Sequence, residues 1–253
     1  MIRFRLKKTL GQYFLKNTKF LMFLANSLGV IHNETIIEIG GGSGNLTQFL
    51  LSAKKLIVYE IDKNLSKFLE ERFKNYKNVK IINKDFLKSN LKKFNNDFLL
   101  IGNIPYFITG KILRKIFNKD NHPKIAVLVL QKEYGQKILG ENGNNFLHCF
   151  IRNFTEIKKI MVIKNKYFFP TPKVDSIALK FSFYSQPLIS EVEDFEMFLK
   201  RFFINNKRTV LNNLKRFYSK EIYKIKDKNL LLKRPRNLSL KEIFDMFFIF
   251  KKK

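Results

Sequence analysis

The chain has 253 residues, enough for one sizeable hydrophobic core and a smaller appended unit. Hydrophobic residues make up 45% of it, so the composition predicts a packed globule and excludes an intrinsically disordered protein. No apolar run approaches the roughly 20 residues that span a bilayer, so we expect no membrane partner. The formal net charge of +28 favours a polyanionic partner, above all a nucleic acid.

The positive charge is unevenly distributed. Residues 197–241 hold 14 Lys and Arg against two acids, and no acidic residue precedes Glu34. A competing explanation is compositional, because a chain rich in Lys, Asn, Ile and Phe and without Trp is typical of an AT-rich coding sequence. Clustering favours the nucleic-acid interpretation.

Cysteine and histidine are too few and too scattered for a disulfide framework or a zinc site. Cys149 is the single cysteine, which fits a reducing, cytoplasmic location, and the spacing of the three histidines predicts no bound metal. The basic start "MIRFRLKK" lacks the layout of a signal peptide. It is compatible with an organelle transit peptide, although motif-like residues already begin at Gly11.

Short apolar runs alternate with helical patterns over the first two thirds of the chain. Continuous apolar runs of this kind are typical of strands covered on both faces, so an α/β fold with a doubly wound, mostly parallel sheet is predicted. Two later runs, 156–163 and 174–184, have no long helix between them and are expected to form an antiparallel pair at one edge. The buried strands are predicted at 35–39, 55–60, 79–82, 98–102 and 125–130, with an amphipathic helix at 64–76.

The segment "SQPLIS" (185–190) reads as a linker, because a proline lies among polar residues and the pattern then becomes helical. About four helical segments follow Glu191. We therefore predict two domains, an α/β domain over 1–184 and a small all-helical domain over 185–253.

The stretch "IEIGGGSGNLT" (37–47) follows the first strand and precedes a helix. Gly40, Gly42 and Gly44 allow a tight turn and a close approach of the backbone to a ligand. The spacing is G-x-G-x-G, and Asn45 breaks the dinucleotide fingerprint G-x-G-x-x-G. A nucleoside cofactor other than a nicotinamide is therefore favoured.

Acidic residues end the next two strands. Glu60 ends the second strand, where a carboxylate can accept hydrogen bonds from both ribose hydroxyls. Asp85 ends the third, where a carboxylate can accept from the exocyclic amine of an adenine, with Phe86 beside the ring. Each could instead be a surface charge, but suitable groups on successive strand ends favour a nucleoside site.

The stretch "GNIPYFITG" (102–110) ends the fourth predicted strand at the same edge. If an aryl amine is the methyl acceptor, the Asn103 side-chain oxygen and the Ile104 carbonyl can accept its hydrogens and favour a pyramidal, nucleophilic nitrogen. Pro105 fixes the turn and has no N–H to compete, and Tyr106 can stack on an extruded base. The alternative is a plain strand-end turn with an aromatic plug.

Seven motifs occur in the order seen in the rRNA adenine dimethyltransferase family, which they resemble over residues 7 to 180: "GQYFL", "EIGGGSGNLT", "YEID", "NKDFL", "GNIPY", "LQKE" and "FFPTPKVDS". The resemblance implies a Rossmann-like class I methyltransferase sheet, S-adenosylmethionine as cofactor and rRNA as partner. It implies cofactor contacts at Tyr13, Leu15, Gly40, Gly42, Glu60, Asp85 and Asn103. It implies target-base contacts at Asn103, Ile104, Pro105, Tyr106 and Phe168.

One residue departs from the family pattern, since Tyr13 stands where Asn or His is usual. This puts a polar cofactor contact from that side chain in doubt.

The motifs "LQKE" and "PKVDS", with the basic tail, favour the KsgA type over the Erm type. The KsgA type dimethylates two adjacent adenosines in the 3′-terminal hairpin of small-subunit rRNA within an assembling subunit. Lys207, Arg208, Lys215 and Arg216 are candidate phosphate contacts, although a solvated helix face would look the same.

Three alternatives remain at this point: an Erm-type enzyme acting on large-subunit rRNA, a non-catalytic RNA-binding assembly factor, and a nicotinamide-dependent dehydrogenase. The Erm type has the same catalytic residues as the KsgA type, so the chemistry does not distinguish the two. The intact motifs argue against the second, and the glycine spacing argues against the third.

Overall fold

The structure is a computed structural model that describes residues 11–118, 120 and 122–251. The basic start considered above as a transit peptide lies outside the described residues. The chain divides into two compact units, each treated separately below. The first unit runs to Gly135 and resumes over Glu156–Ser185, and the second comprises Gln136–Thr155 and the chain from Gln186 onward.

The strands of the described residues are β1 (Phe14–Leu15), β2 (Thr35–Ile39), β3 (Lys55–Glu60), β4 (Val79–Asn83), β5 (Leu99–Asn103), β6 (Ile125–Gln131), β7 (Thr155–Ile163), β8 (Phe168–Phe169) and β9 (Ser176–Phe183). The main sheet has the order β4-β3-β2-β5-β6-β9-β7, and β1 and β8 form a separate antiparallel pair. Strands β2 to β6 are parallel to one another, whereas β9 is antiparallel to β6. The predicted fold class is confirmed.

Burial on both faces explains why these strands read as continuous apolar runs. Leu99, Leu100 and Ile101 point alternately to opposite faces of β5, and none is more than 2% exposed. The α-helices of this part of the chain are α1 (Thr18–Asn26), α2 (Lys63–Arg72), α3 (Thr109–Ile116) and α4 (Lys132–Leu139). Helix α4 continues beyond Gly135, where the first unit is interrupted.

The second unit is helical, as the pattern after Glu191 predicts. Its α-helices are α5 (Phe146–Arg152), α6 (Val192–Phe202), α7 (Val210–Leu214), α8 (Lys228–Leu232) and α9 (Leu240–Phe250). Its core is unusually aromatic: Phe195, Phe198 and Phe202 recur at helical spacing on α6, and all are at most 1% exposed. A capping box between Ser239 and Glu242 fixes the start of α9.

Residues 136–155 belong to the compact helical unit, whereas the sequence-based division placed them in the first domain. Hydrogen bonds to distant parts of the helical unit explain the difference. Asn144 donates to the Leu238 carbonyl, and buried Asn153 exchanges hydrogen bonds with the main chain of Ile189. No helix in the described part of the chain is long and apolar enough to cross a bilayer.

Candidate active site

The ends of β2, β3 and β5, with the loop that follows β4, meet at one edge of the sheet and open onto a cavity of about 330 Å³. The parallel register produces this convergence, because Ile39 is level with both Tyr59 and Gly102, and Glu60 is level with Asn83. The site residues expected from the sequence that line the cavity are Tyr13, Leu15, Gly40, Gly42, Glu60, Asp85, Asn103, Ile104, Pro105 and Tyr106.

The glycine loop leaves open space where a side chain would otherwise lie. Gly40 has a φ of +74°, and a Cβ added there would meet nothing within 4 Å. Gly42, with a φ of +56°, faces the ring of Phe14, which a Cβ would approach to 2.7 Å. The loop therefore exposes bare backbone to the cavity at Gly40 and packs closely against Phe14 at Gly42.

Glu60 is 5% exposed, and each of its carboxylate oxygens accepts a main-chain hydrogen bond. Oε2 accepts from the Gly42 N–H and Oε1 from the Asp62 N–H, both at 2.8 Å. Burial raises the pKa of Glu60, and these two hydrogen bonds oppose that shift. The carboxylate is thereby fixed against the glycine loop and retains lone pairs for a ligand hydroxyl.

Asp85 lies in a loop that Lys115 holds in place. Asp85 Oδ1 accepts from the Leu87 N–H at 2.9 Å, while Lys115 Nζ donates to the carbonyls of Leu87 and Ser89 at 3.1 and 2.6 Å. Burial lowers the pKa of Lys115, and the Asp85 charge opposes the shift. Lys115 thus anchors the Asp85 loop to α3. Because the Leu87 N–H binds Oδ1, the other carboxylate oxygen of Asp85, Oδ2, is available to a ligand.

Asn103 is oriented by the main chain of the motif "GQYFL". Its Nδ2 donates to the Tyr13 carbonyl at 2.6 Å, so Oδ1 points away from that contact as a free acceptor. The Ile104 N–H donates to the Val129 carbonyl at 3.0 Å, which fixes the next peptide group. The Asn103 side chain and the peptide group between Asn103 and Ile104 are therefore held in place.

Tyr106 lies between two neighbours that define its position. Its hydroxyl is 2.8 Å from Ser176 Oγ, and its ring stacks on that of Tyr13 with centroids 5.7 Å apart. Burial raises the pKa of Tyr106, and the Ser176 hydrogen bond opposes the shift. The side chain of Tyr13, which departs from the family pattern, thus contacts the aromatic residue of the Asn103–Tyr106 turn.

Phe168 does not line the cavity, unlike the other expected site residues. It pairs with Leu15 across β1 and β8, is 3% exposed and belongs to the hydrophobic core. The next residue, Phe169, is half exposed, and the Lys16 ammonium lies 4.0 Å from its ring centroid. Stacking of Phe168 on a target base remains a prediction, and it requires this side chain to leave the core.

Glu38 is a cavity residue that the sequence reasoning missed. It is 1% exposed, lies on β2 directly before the glycine loop, and its Oε2 has no hydrogen-bond partner among the described residues. Burial raises the pKa of Glu38 to about 8; the Thr47 hydroxyl opposes the shift and the Glu60 charge adds to it. The signal was present, since an acid inside the apolar strand "TIIEI" is unusual.

Metal binding has no candidate among the described residues, where no three His, Cys, Asp or Glu side chains form a suitable group. The cavity presents carboxylate, amide, carbonyl and aromatic groups. Such a set suits a neutral or cationic nucleoside.

Comparison with known proteins identifies the family. The profile described as "Ribosomal RNA adenine dimethylase" matches residues 3–253. The chain belongs to the ribosomal RNA adenine dimethylase family. The resemblance expected from the motifs is therefore confirmed, and this chain is a family member that carries an adenine-methyltransferase fold and motif set.

Two relatives of this dimethylase carry the name "Ribosomal RNA small subunit methyltransferase A". That of Malacoplasma penetrans is 36% identical over 259 residues, covering 97% of this chain and 93% of the relative. That of Thermotoga maritima is 33% identical, covering 96% of this chain and 85% of the relative. The similarity thus extends over nearly the whole of this chain.

Two solved structures share the fold. A dimethyladenosine transferase from Plasmodium falciparum is 25% identical, with a TM-score of 0.78 over 92% of this chain and 95% of that one. The 23S rRNA methyltransferase ErmE is 23% identical, with a TM-score of 0.79 over 94% of this chain and 99% of that one. The second likeness concerns the fold alone.

Proposed function

We propose that this protein transfers methyl groups from S-adenosylmethionine to the exocyclic amines of two adjacent adenosines in the 3′-terminal hairpin of small-subunit rRNA. The single observation that carries the proposal is that the glycine loop and the Asn103–Tyr106 turn open onto the same cavity. A cofactor site and an amine-binding motif then adjoin, as transfer between two bound molecules requires.

The cavity residues fit a nucleoside methyl donor. Open space at Gly40 suits a close approach to the backbone, and Glu60 presents a fixed carboxylate suited to ribose hydroxyls. Asp85 has a carboxylate oxygen suited to the amine of an adenine. When bound, S-adenosylmethionine supplies an electrophilic methyl group on a sulfonium centre.

The chain's own residues then act on the target amine. Asn103 Oδ1 and the Ile104 carbonyl accept its two N–H groups, which directs the nitrogen lone pair away from the ring plane. Pro105 brings no N–H to compete for those acceptors. Tyr106 offers a ring for stacking on the extruded adenine. No strong base is required, because the alkylated ammonium loses its proton to water.

The small-subunit assignment is supported by the relatives' printed names and by the motifs "LQKE" and "PKVDS". An enzyme of this kind meets its substrate within an assembling subunit in the cytoplasm. The basic segment over 197–241 supports an RNA partner, since its Lys and Arg side chains can contact phosphates.

A labelled-methyl assay tests the proposal. The purified protein is incubated with S-adenosylmethionine and with small or large subunits that lack the modification, and the methylated nucleosides are identified by mass spectrometry. We expect N6,N6-dimethyladenosine at two adjacent positions in small subunits. Labelling of large subunits instead would favour the Erm-type alternative, and binding without labelling would favour an assembly factor.

The variant Asn103→Ala tests the mechanism, because it removes the Oδ1 acceptor and the bond to the Tyr13 carbonyl. We expect the rate to fall by about 100-fold or more, in the range seen when a transition-state hydrogen bond is lost. Asn75→Ala is the matched control, since Asn75 is exposed in the first unit and does not line the cavity. Equal rates for the two variants would refute the role given to Asn103.

A further inference from the structure

Phe107 directly follows Tyr106 and leaves most of its ring in solvent. The side chain is 64% exposed, yet it also lines the cavity, so the ring lies at the cavity mouth. Among the described residues no other aromatic side chain is both exposed and part of the cavity wall. Its ring contacts no aromatic or cationic side chain in the part of the chain that the structure describes. A single exposed phenylalanine is ordinary, so its place beside the motif, and not its exposure, calls for an explanation.

Local geometry directs this ring away from that of Tyr106. Tyr106–Ile108 form one 3-10 turn, in which consecutive side chains diverge by about 120°. The Tyr106 hydroxyl lies 2.8 Å from Ser176 Oγ, whereas Phe107 extends into solvent. Gly11 lets the Phe107 ring lie against its backbone, since a Cβ there would approach Cε1 of the ring to 2.9 Å. The two rings therefore face different spaces, one inside the cavity and one at its mouth.

An extruded base leaves its neighbour in the strand without a stacking partner. Under the proposed function the target adenine leaves its stack and enters the cavity beside Tyr106, so one face of the adjoining base becomes exposed. That adjoining base stays outside the cavity but remains tied to the target by one phosphodiester link. It therefore emerges at the mouth, where the free ring of Phe107 offers a replacement stacking surface.

The place beside the target must accept different nucleotides in succession. The two target adenosines are adjacent in the proposed substrate, so each has a different neighbour on any given side. In one of the two rounds that neighbour is the other adenosine, whose amine has no N–H left once it is dimethylated. Stacking tolerates such differences, because every base has a π face, whereas hydrogen-bond recognition does not. A phenylalanine has no polar group that would select one neighbour over another.

We propose that Phe107 forms a binding site for the base that adjoins the target adenosine, and that stacking there positions the target against Tyr106. The inference rests on the proposed function, from which it takes the extruded adenosine. Phe169 is less suited to this role, although it is half exposed. It does not line the cavity, and the Lys16 ammonium already lies 4.0 Å from its ring centroid.

Variants that separate the π face of Phe107 from its bulk test the stacking contact. The assay is binding of a labelled hairpin with the sequence of the 3′ end of small-subunit rRNA, with S-adenosylhomocysteine present so that no transfer occurs. Phe107→Leu keeps an apolar side chain against Gly11 and removes the π face, so we expect binding to weaken about ten-fold. Phe107→Tyr keeps the π face and should bind within about two-fold of the wild-type protein.

Phe23→Leu is the matched control, because Phe23 is 50% exposed on α1 and does not line the cavity. It should leave hairpin binding unchanged. The affinity for S-adenosylhomocysteine, measured by calorimetry, should be the same in Phe107→Leu as in the wild-type protein. Unchanged hairpin binding by Phe107→Leu, an equal loss in Phe107→Tyr, or a parallel loss of cofactor affinity would overturn the proposal.

Removal of single bases identifies the partner of Phe107. In hairpins with one of the two adenosines already dimethylated, the other is the target, and abasic nucleotides are placed in turn at the target and on either side of it. We expect one flanking position at which base removal weakens binding to the wild-type protein about ten-fold and has no further effect on Phe107→Leu. Equal effects on both proteins at each flanking position, or coupling of Phe107 to the target base itself, would overturn the site.

The two proposals fail in different ways. If the wild-type protein transfers no methyl group but one flanking base still depends on Phe107, the proposed function fails and the stacking site stands. If methyl transfer occurs and no flanking base depends on Phe107, the site alone fails.

Discussion

The buried carboxyl group of Glu38 makes a prediction about stability that needs neither cofactor nor RNA. In the folded protein burial raises the pKa of Glu38 to about 8, whereas the same group has its ordinary value near 4.5 in the unfolded chain. Between these values the folded state holds a proton that the unfolded state has lost. The free energy of unfolding must therefore fall as the pH rises through this window.

The variant Glu38→Gln isolates this contribution, because the amide has the shape of a protonated carboxyl group and does not titrate. With a folded-state pKa of about 8, the contribution of the Glu38 proton falls by about 2 kcal/mol between pH 6 and pH 8. Wild-type protein should therefore lose about 2 kcal/mol relative to Glu38→Gln over that interval. Glu60, whose pKa burial also raises, is present in both proteins and largely cancels.

Urea unfolding at the two pH values measures the difference, provided that both proteins have the same dependence on urea concentration. Glu70→Gln is the control, because Glu70 is exposed on α2 and its substitution should shift stability equally at both pH values. If the free energies of unfolding of the wild-type protein and of Glu38→Gln changed equally between the two pH values, the reasoning would be refuted. Glu38 would then be ionised in the folded protein, and the cavity beneath the glycine loop would carry a negative charge at neutral pH.

Two further predictions concern the cofactor side of the cavity. Gly40→Ala places a methyl group in the open space beside the loop at a φ of +74°, so we expect weaker binding of S-adenosylmethionine in a calorimetric titration and a loss of about 1 kcal/mol in unfolding free energy. Lys115→Met removes two bonds to the carbonyls of Leu87 and Ser89, so cofactor affinity should fall several-fold, whereas Lys88→Met, an exposed control, should leave it unchanged.

Much of the sheet could be predicted because the burial of each strand leaves a pattern in its own short stretch of sequence. A strand buried on both faces must be apolar throughout, so β3 and β5 are visible as uninterrupted runs bounded by polar residues. Strand ends at the carboxyl edge of a parallel sheet lie together by topology. The meeting of Gly40, Glu60, Asp85 and Asn103 at one cavity could therefore be anticipated from their places in the strand order.

Features that depend on distant pairing had no local signal. Strands β1 and β8 are only two residues long, too short to show a periodic pattern in the sequence. They pair Leu15 with Phe168, which are separated by most of the first unit. Residues 136–155 were likewise placed in the first domain by continuity along the chain, whereas they group with the second compact unit. Hydrogen bonds from Asn144 and Asn153 to remote main-chain groups tie them to the helical unit instead.

The link between Asn103 and Tyr13 explains how an unusual side chain can stand in the motif "GQYFL". The Asn103 amide is oriented by the Tyr13 carbonyl, and a main-chain carbonyl is present whatever the side chain. The contact with Asn103 therefore sets no requirement on the side chain at position 13, as long as the backbone there keeps its place. The neighbouring residue Leu15 holds this backbone in place. Leu15 pairs with Phe168, and the Leu15 carbonyl accepts a hydrogen bond from Asn45 Nδ2 at 3.1 Å. Phe168 thus supports Asn103 through the backbone of β1 and of Tyr13, which precedes it. This structural role explains why Phe168 is buried in the core.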